Sequence, residues 1–382
     1  MKTAGLIAEF NPFHNGHKYI LEKIKEEFDA AVVVMSGSFV QRGDIAITDK
    51  HTRAAAALNN GADLVLELPI IYALNTAQRF AMGAVETLDK TGVTDCLVFG
   101  SELGKGDELI RAAELLENEP PHISEKIKKF VSEGMNYPSA REKAYEGYIN
   151  SDILSKPNNI LAVEYIRAIK HIGSSIRPYT IERTNDFHST DITGDVISAT
   201  AVRRLMENGK EIEKYVPEIP KGGFDIYSLK PLENALLYHL RTVQPQVLAR
   251  INDVSEGLEN RIIMAAGKSR SFDEICEKVK SKRYTMSRIR RILLSSFLGI
   301  TKELAQLPPS YIRVLGMNDT GKKLLKDMKN KAQLPMAVKT ACLKNDEIFK
   351  AEIRAGEAAS ICRMNGILDA GREFTVSPVI RA

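Results

Sequence analysis

Residues Gly5–His17 read GLIAEFNPFHNGH, and this stretch decides the fold. The apolar run Thr3–Phe10 fits a short buried strand. Asn11-Pro12 turns the chain, and a helical pattern runs from about Gly16 to Phe28. His14 and His17 lie three apart, so on a first helical turn they share a face. Asn15 and Gly16 permit tight turning and close approach of a ligand. A helix start presents unpaired N–H groups and the positive end of its dipole. Two imidazoles added there make a site for a polyphosphate, with donors ready as charge shifts in a transition state. The plainer alternative is a pair of half-buried histidines in a loop.

Working outward, Ala30–Met35 (AAVVVM) reads as a buried strand, His51–Asn59 as a helix and Asp63–Leu68 (DLVLEL) as a strand stopped by Pro69. Thr76–Lys90 is helical, and Asp95–Phe99 (DCLVF) is another strand, closed by Gly100. Continuous apolar strands alternating with helices predict a parallel sheet covered on both faces. Such sheets bind ligands at the carboxyl ends of their strands. Gly104–Tyr148 is charged and mostly helical; Asn159–His171 is helical, with Asn158-Asn159 placed to cap it. Ile176–Ile181 fits a strand, and Ile197–Asn208 a helix whose start carries Ser198 and Thr200. Pro217, Pro220, Gly222 and Gly223 then cluster as a boundary. The expected architecture is α/β: a Rossmann-like parallel-sheet domain over residues 1–217, followed by a mostly helical basic domain over 218–382. The second part has one apolar interruption, at Tyr311–Leu315.

The 382 residues carry 53 Lys+Arg against 49 Asp+Glu, with 44% hydrophobic and 27% charged residues, which excludes a disordered or collagen-like chain. The acidic excess sits before residue 230 and the basic excess after it, the pattern of a catalytic half joined to a polyanion-binding half. A lysine-rich solvated surface is the alternative. Cys96, Cys276, Cys342 and Cys362 show no Cys-x-x-Cys spacing, so neither a structural zinc site nor a disulfide framework is expected, and no protein-ligated metal. Glu9, Asn11 and His14 interrupt the first apolar stretch too early for a signal peptide, and no run reaches membrane-spanning length. These features predict a cytoplasmic protein with no membrane association.

Asn-Pro-Phe-His-Asn-Gly-His resembles the His-x-Gly-His motif of the nucleotidyltransferase superfamily. Ile197–Arg203 (ISATAVR) resembles that superfamily's second signature, with Ala199 replacing a serine. Ala8–His17 (AEFNPFHNGH), Ser36–Gly43 (SGSFVQRG), Lys156–Leu161 (KPNNIL) and Lys282–Leu294 (KRYTMSRIRRILL) together resemble the bacterial tRNA(Met) cytidine acetate ligases over essentially the whole chain. The residues alone reach only as far as a nucleotidyl-transfer domain with a basic second domain.

The resemblance implies the rest. The fold would be of the HUP type. ATP and acetate would give acetyl-adenylate, and the acetyl group would pass to N4 of the wobble cytidine of elongator tRNA(Met). The ATP cradle would be Ile7, Ala8, Glu9, Phe10, Asn11, Pro12, Phe13, His14, Asn15, Gly16, His17, Lys18, Tyr19 and Ile20, completed by Gly100, Asn158 and Arg183. His14, His17, Ser198 and Thr200 would be the catalytic set, with Mg²⁺ accompanying ATP and no obligate protein partner. Gln41 and Arg42, in a loop facing the same mouth, suit a small carboxylate; a plain mobile loop is the alternative.

Gly316–Lys323 (GMNDTGKK) nearly matches a phosphate-binding loop, but Lys323 stands where a hydroxyl is needed, so a turn before a basic helix is expected. Lys282, Arg283, Arg288, Arg290, Arg291, Lys322 and Lys323 are the candidates for RNA contact. Arg283, Arg290 and Arg291 are expected near one helix face, with Ile289, Leu293 and Leu294 turned to the core. Two other functions share the first domain: a small-molecule adenylyltransferase of coenzyme metabolism, and a non-catalytic tRNA-binding protein.

Overall fold

The computed structural model describes residues 1–182, 197–255, 257–366 and 368–381. Its strands are β1 (Thr3–Ala8), β2 (Ala30–Ser36), β3 (Phe39–Val40), β4 (Asp44–Ile45), β5 (Leu64–Leu68), β6 (Cys96–Ser101), β7 (Arg177–Glu182), β8 (Ile312–Met317), β9 (Met336–Ala337) and β10 (Val379–Ile380). The main sheet runs β10-β8-β5-β2-β1-β6-β7, with β9 pairing β8; β3 and β4 form a separate antiparallel ladder. The five main-sheet strands from the first half, β1, β2, β5, β6 and β7, are mutually parallel.

Successive strand residues point to opposite faces, and here both faces are dry. Ile7, Val32, Val34, Leu66 and Leu97 pack on one side with residues of the Ala77–Asp89 and Pro157–His171 helices. Ala4, Leu6, Val33, Met35, Val65 and Val98 pack on the other, with residues of the Asn15–Glu27 and Lys50–Asn59 helices. Double coverage is why these strands read as unbroken apolar runs.

The far edge of the sheet comes from the second half. The apolar interruption at Tyr311–Leu315 becomes β8, which lies antiparallel to β5, with β10 parallel beyond it. A single apolar strand among helices has backbone groups to satisfy, and the open edge of β5 supplies their partners. Residues beyond 217 therefore complete the sheet as well as forming helices such as Glu233–Thr242, Leu258–Gly267, Phe272–Val279 and Met286–Leu298.

A buried ion cluster fastens the same seam. Lys50 meets Glu67 at 2.6 Å and Glu373 at 2.8 Å. Arg313 meets Glu67 at 2.6 Å and also pairs with Glu373. Burial alone would raise the Glu373 carboxyl, yet Lys50 and Arg313 hold it at about 2. Glu352 accepts from the Ile70 N–H, and burial together with Glu67 drives its carboxyl well above the ordinary range. Two cations thus face two carboxylates, while burial and Glu67 push the third carboxyl, Glu352, toward its uncharged form. This balance is what lets charge persist in a dry core.

Among the described residues, the buried Nδ1 of His51, beside Lys50, has no hydrogen-bond partner. Burial, then the charge of Lys50, lowers it from its usual value to about 4. Between about pH 6.5 and about pH 4 the unfolded chain binds a proton that the folded chain refuses, so this group removes stability as pH falls through that window. His51→Gln lacks the titration. Urea unfolding is expected to show the stability difference, parent minus variant, shrinking steadily from about pH 6.5 down to about pH 4; a constant difference would contradict the assignment.

Candidate active site

A cavity of about 1770 Å³ opens at the carboxyl ends of β1, β2 and β6. Its near wall is the turn after β1. Phe10 there has φ +48°, a left-handed conformation unusual for a bulky residue. Asn11 braces the turn: its Oδ1 accepts from the Ile47 N–H at 2.8 Å, and its carbonyl accepts from Arg203 at 2.6 Å. The Arg53 guanidinium, 1% exposed, donates to the carbonyls of Thr48 (3.1 Å), Glu9 (2.7 Å), Ser36 (3.0 Å) and Gly37. Burial lowers its pKa to about 10, which leaves it a cation at neutral pH. It therefore ties the ends of β1 and β2 together from beneath.

His14 is the N-cap of the Asn15–Glu27 helix. Its Nδ1 accepts from the Gly16 N–H at 3.0 Å, and the Nδ1 of His17 accepts from the His14 N–H at 3.2 Å. The two rings stack with centroids 3.8 Å apart and both line the cavity. The motif is thus a capping box built from imidazoles in place of Ser and Glu. Because each Nδ1 is an acceptor, each neutral ring carries its proton on Nε2. The sequence expectation of two histidines sharing a face at a helix start matches this geometry.

Ser198 caps the Ala199–Glu207 helix, its Oγ accepting from the Ala201 N–H at 3.1 Å, and it is buried away from the cavity lining. Thr200 lines the cavity, and its Oγ1 accepts from Arg203 at 3.0 Å. Arg203, inside the second signature, joins this helix to the Asn11 carbonyl, a role its sequence position does not reveal. Gly100 lines the cavity at the end of β6. Asn158 also lines it, but not as a helix cap: the helix starts at Pro157, and the Glu102 carboxylate receives the Asn158 side chain at 2.6 Å and the Asn159 N–H at 2.9 Å. An acidic group at the helix start replaces the expected asparagine cap. Arg183 lies outside the described residues. Of the remaining cradle residues, Ile7, Ala8, Glu9 and Ile20 line the cavity, whereas Pro12, Phe13, Asn15, Gly16, Lys18 and Tyr19 do not.

The loop after β2 forms the next wall. The Gln41 N–H donates to Glu9 Oε1 at 2.7 Å, and its side-chain amide to the Asn75 carbonyl at 3.1 Å. Arg42 is exposed at the mouth. The second half presses on this loop from outside. Arg290 donates to the Gly43 carbonyl (3.0 Å), Asp44 (3.0 Å) and Asp273 (2.7 Å); Arg291 donates to the Gln41 carbonyl at 3.3 Å. Gly43 has φ +76°, and a Cβ there would lie 2.6 Å from the Arg291 amide nitrogen. No larger residue fits this contact without movement.

Arg283, Arg290 and Arg291 therefore do not form one free face. Arg283 precedes the Met286–Leu298 helix, Arg291 is buried in it, and Arg290 is spent on the loop; Ile289, Leu293 and Leu294 are buried as expected. Arg288 pairs with Asp253 at 3.1 Å and stacks over Tyr284. Arg283 and Arg288 line the far side of the cavity, and Lys282 is exposed beside them.

Lys322 and Lys323 are exposed on the Asp319–Lys331 helix. The antiparallel course of β8 carries that helix to the amino ends of the parallel strands, away from the cavity. The Gly316–Lys323 segment holds no phosphate cradle: Asn318 caps the helix, and a Cβ on Gly321 would sit 2.0 Å from the Asp63 carbonyl oxygen. Among the described residues no group of three metal-ligating side chains converges, and no helix is long and apolar enough to cross a membrane.

A family model described as HIGH Nucleotidyl Transferase matches residues 1–369. The tRNA(Met) cytidine acetate ligase of Thermoanaerobacter pseudethanolicus is 42% identical, with both chains covered in full. The protein of the same name from Clostridium perfringens is 36% identical, again with full coverage of both. Among solved structures, Thermotoga maritima TmcAL bound with alpha-thio ATP superposes with a TM-score of 0.90 at 34% identity, covering 100% of this chain and 99% of that one. Its apo form gives 0.91 at 35% identity.

Arg290 is the main tie between loop and helix. Arg290→Met is expected to lower the unfolding free energy by about 2 kcal/mol, because it strands the partly buried Asp44 carboxylate. It should also speed proteolytic cleavage between Gln41 and Ile45. Urea unfolding and limited proteolysis read the two effects, and cleavage at the parent rate would refute the clamp.

Proposed function

The chain belongs to the tRNA(Met) cytidine acetate ligase family, a branch of the HIGH nucleotidyl transferases, and on that premise we propose that it is an ATP-dependent ligase working in two steps. Acetate attacks the α-phosphorus of ATP, releasing pyrophosphate and forming acetyl-adenylate. The acetyl group then passes to N4 of the wobble cytidine of elongator tRNA(Met), giving N4-acetylcytidine.

The observation that carries this reading is the imidazole capping box at the cavity wall. Both Nε2–H groups are donors held in place before any ligand arrives, so they stabilise charge on the departing pyrophosphate without reorganising. Thr200 and Arg203 stand beside the same turn and suit the β- and γ-phosphates. Ser198 contributes by capping the helix that carries them. The remaining cradle residues, Arg183 included, are assigned to ATP on the family resemblance. Mg²⁺ accompanying ATP would neutralise triphosphate oxygens and, as a strongly hydrated ion, needs few ligands from the protein.

Acetate offers few contacts, so its rate advantage lies in alignment with the α-phosphate. Gln41 and Arg42 suit this task because their loop is pinned on both sides, by Glu9 within and by Arg290 and Arg291 without. The far wall of the cavity carries Arg283, Arg288, Arg290 and Arg291 with Tyr227 and Phe272, interspersed with Glu233, Asp253 and Asp273. Those features suit a cytidine splayed from its loop. We assign residues 1–217 to activation and 218–382 mainly to the acceptor, with Lys282, Arg283 and Arg288 nearest the tRNA. Arg290 and Arg291 serve both steps through the loop, and Lys322 and Lys323 would meet only a remote part of the tRNA.

Incubation with ATP, labelled acetate and total tRNA should yield N4-acetylcytidine on nucleoside analysis, and acetate should support ATP–pyrophosphate exchange without tRNA. Exchange that needs a phosphorylated metabolite in place of acetate would favour an adenylyltransferase of small molecules. His14→Ala combined with His17→Ala is expected to slow exchange on the order of a hundredfold or more. Full tRNA acetylation by a folded double variant would overturn the assignment.

A further inference from the structure

Acyl transfer to an exocyclic amine must dispose of a proton. The N4 lone pair of cytosine attacks the acetyl carbonyl, the C–N bond forms, and the C–O bond to AMP breaks with its electron pair leaving on the phosphate oxygen. One N4 proton must then pass to a base.

The two histidines are poor candidates. Each Nδ1 lone pair already accepts a backbone N–H, and each neutral ring has its proton on Nε2. Most carboxylates around the cavity are also committed. Asp44 and Asp273 pair with Arg290, Asp253 with Arg288, and Glu164 with Arg141 and Arg167. Glu233, which accepts from the Phe272 N–H, stands on the opposite wall at the start of the Glu233–Thr242 helix, away from the imidazole turn, and Glu207 is a solvated group at a helix end.

Glu9 is different. It follows β1 directly and lines the cavity between the imidazole turn and the Gln41-Arg42 loop. Its backbone is fixed, because its carbonyl accepts from Arg53. One carboxylate oxygen, Oε1, accepts from the Gln41 N–H at 2.7 Å, and no ion pair within 4 Å engages the group among the described residues. The charged and titratable groups facing it are Arg42 from the loop, Arg53 from the Lys50–Asn59 helix, Tyr165 from the Pro157–His171 helix and Arg203 from the Ala199–Glu207 helix; His14 and His17 line the same cavity.

We propose that Glu9, through Oε2, accepts the N4 proton during acetyl transfer and passes it to water. The proposal rests on the two-step ligase reading above. Burial supports it: desolvation pushes the carboxyl upward against the pull of the Gln41 N–H and the arginines, toward the range in which a carboxylate is an effective base.

Glu9→Gln keeps an oxygen for the Gln41 N–H and removes the base. Two rates are measured: acetate-dependent ATP–pyrophosphate exchange, and single-turnover transfer from bound acetyl-adenylate to a tRNA(Met) transcript, from about pH 5 to about pH 9. Transfer is expected to fall about a hundredfold and to lose its acidic limb, with exchange falling at least about tenfold less. Equal losses in both steps would reduce Glu9 to a support for the loop. Transfer at the parent rate, or with the parent pH profile, would also overturn the proposal. If the parent protein itself gives neither exchange nor acetylated tRNA, the ligase reading fails and the proposal with it.

Discussion

One guanidinium holds the active-site floor together. Arg53 reaches four carbonyls that belong to the end of β1, the end of β2 and the segment before its own helix. Parallel strands end in unsatisfied carbonyls, and a dry core offers them no water. A cation with a rigid fork of donors satisfies several at once. The same contacts fix the backbone of Glu9, and with it the turn in which Phe10 adopts a strained conformation and Asn11 receives Arg203. Remove the guanidinium, and the geometry that orients both imidazoles loses its base.

Local patterns in the sequence located the near wall of the site. The strand, the Asn-Pro turn and the paired histidines all lie within one short segment, so their placement at a strand end and a helix start is legible from periodicity. The start of the Ser198 helix was legible for the same reason. What stayed hidden depends on distant partners. Nothing near Arg53 in the chain tells that Glu9, Ser36 and Gly37 will surround it, although a charged side chain in the alanine-rich HTRAAAAL segment is a signal of unusual burial. Asn158 looked like a cap because Glu102, its actual partner, is 56 residues away. Arg290 and Arg291 read as a basic surface because their acceptors, the Gly43 and Gln41 carbonyls, belong to the other half. The strand at Ile312–Met317 was visible only as an apolar patch, since its register is set by β5.

The two halves are thus mechanically continuous. The Met286–Leu298 helix bears on the loop that contacts Glu9, and the Lys50–Glu67–Arg313–Glu373 cluster joins the sheet to the end of the chain. The second-half wall of the cavity is fastened to the first-half wall through direct hydrogen bonds from Arg290 and Arg291. A shift of the Met286–Leu298 helix therefore reaches the Gln41-Arg42 loop directly.

The sheet order has a consequence for biosynthesis. While the chain emerges from a ribosome, β5 is made early, yet the strand that covers its open edge appears some 250 residues later, and β10 later still. In the interval an apolar ribbon has uncapped donors and acceptors along one side, a template for stray pairing between nascent chains. The gap sets a lower bound on how much polypeptide must be translated before the sheet can close.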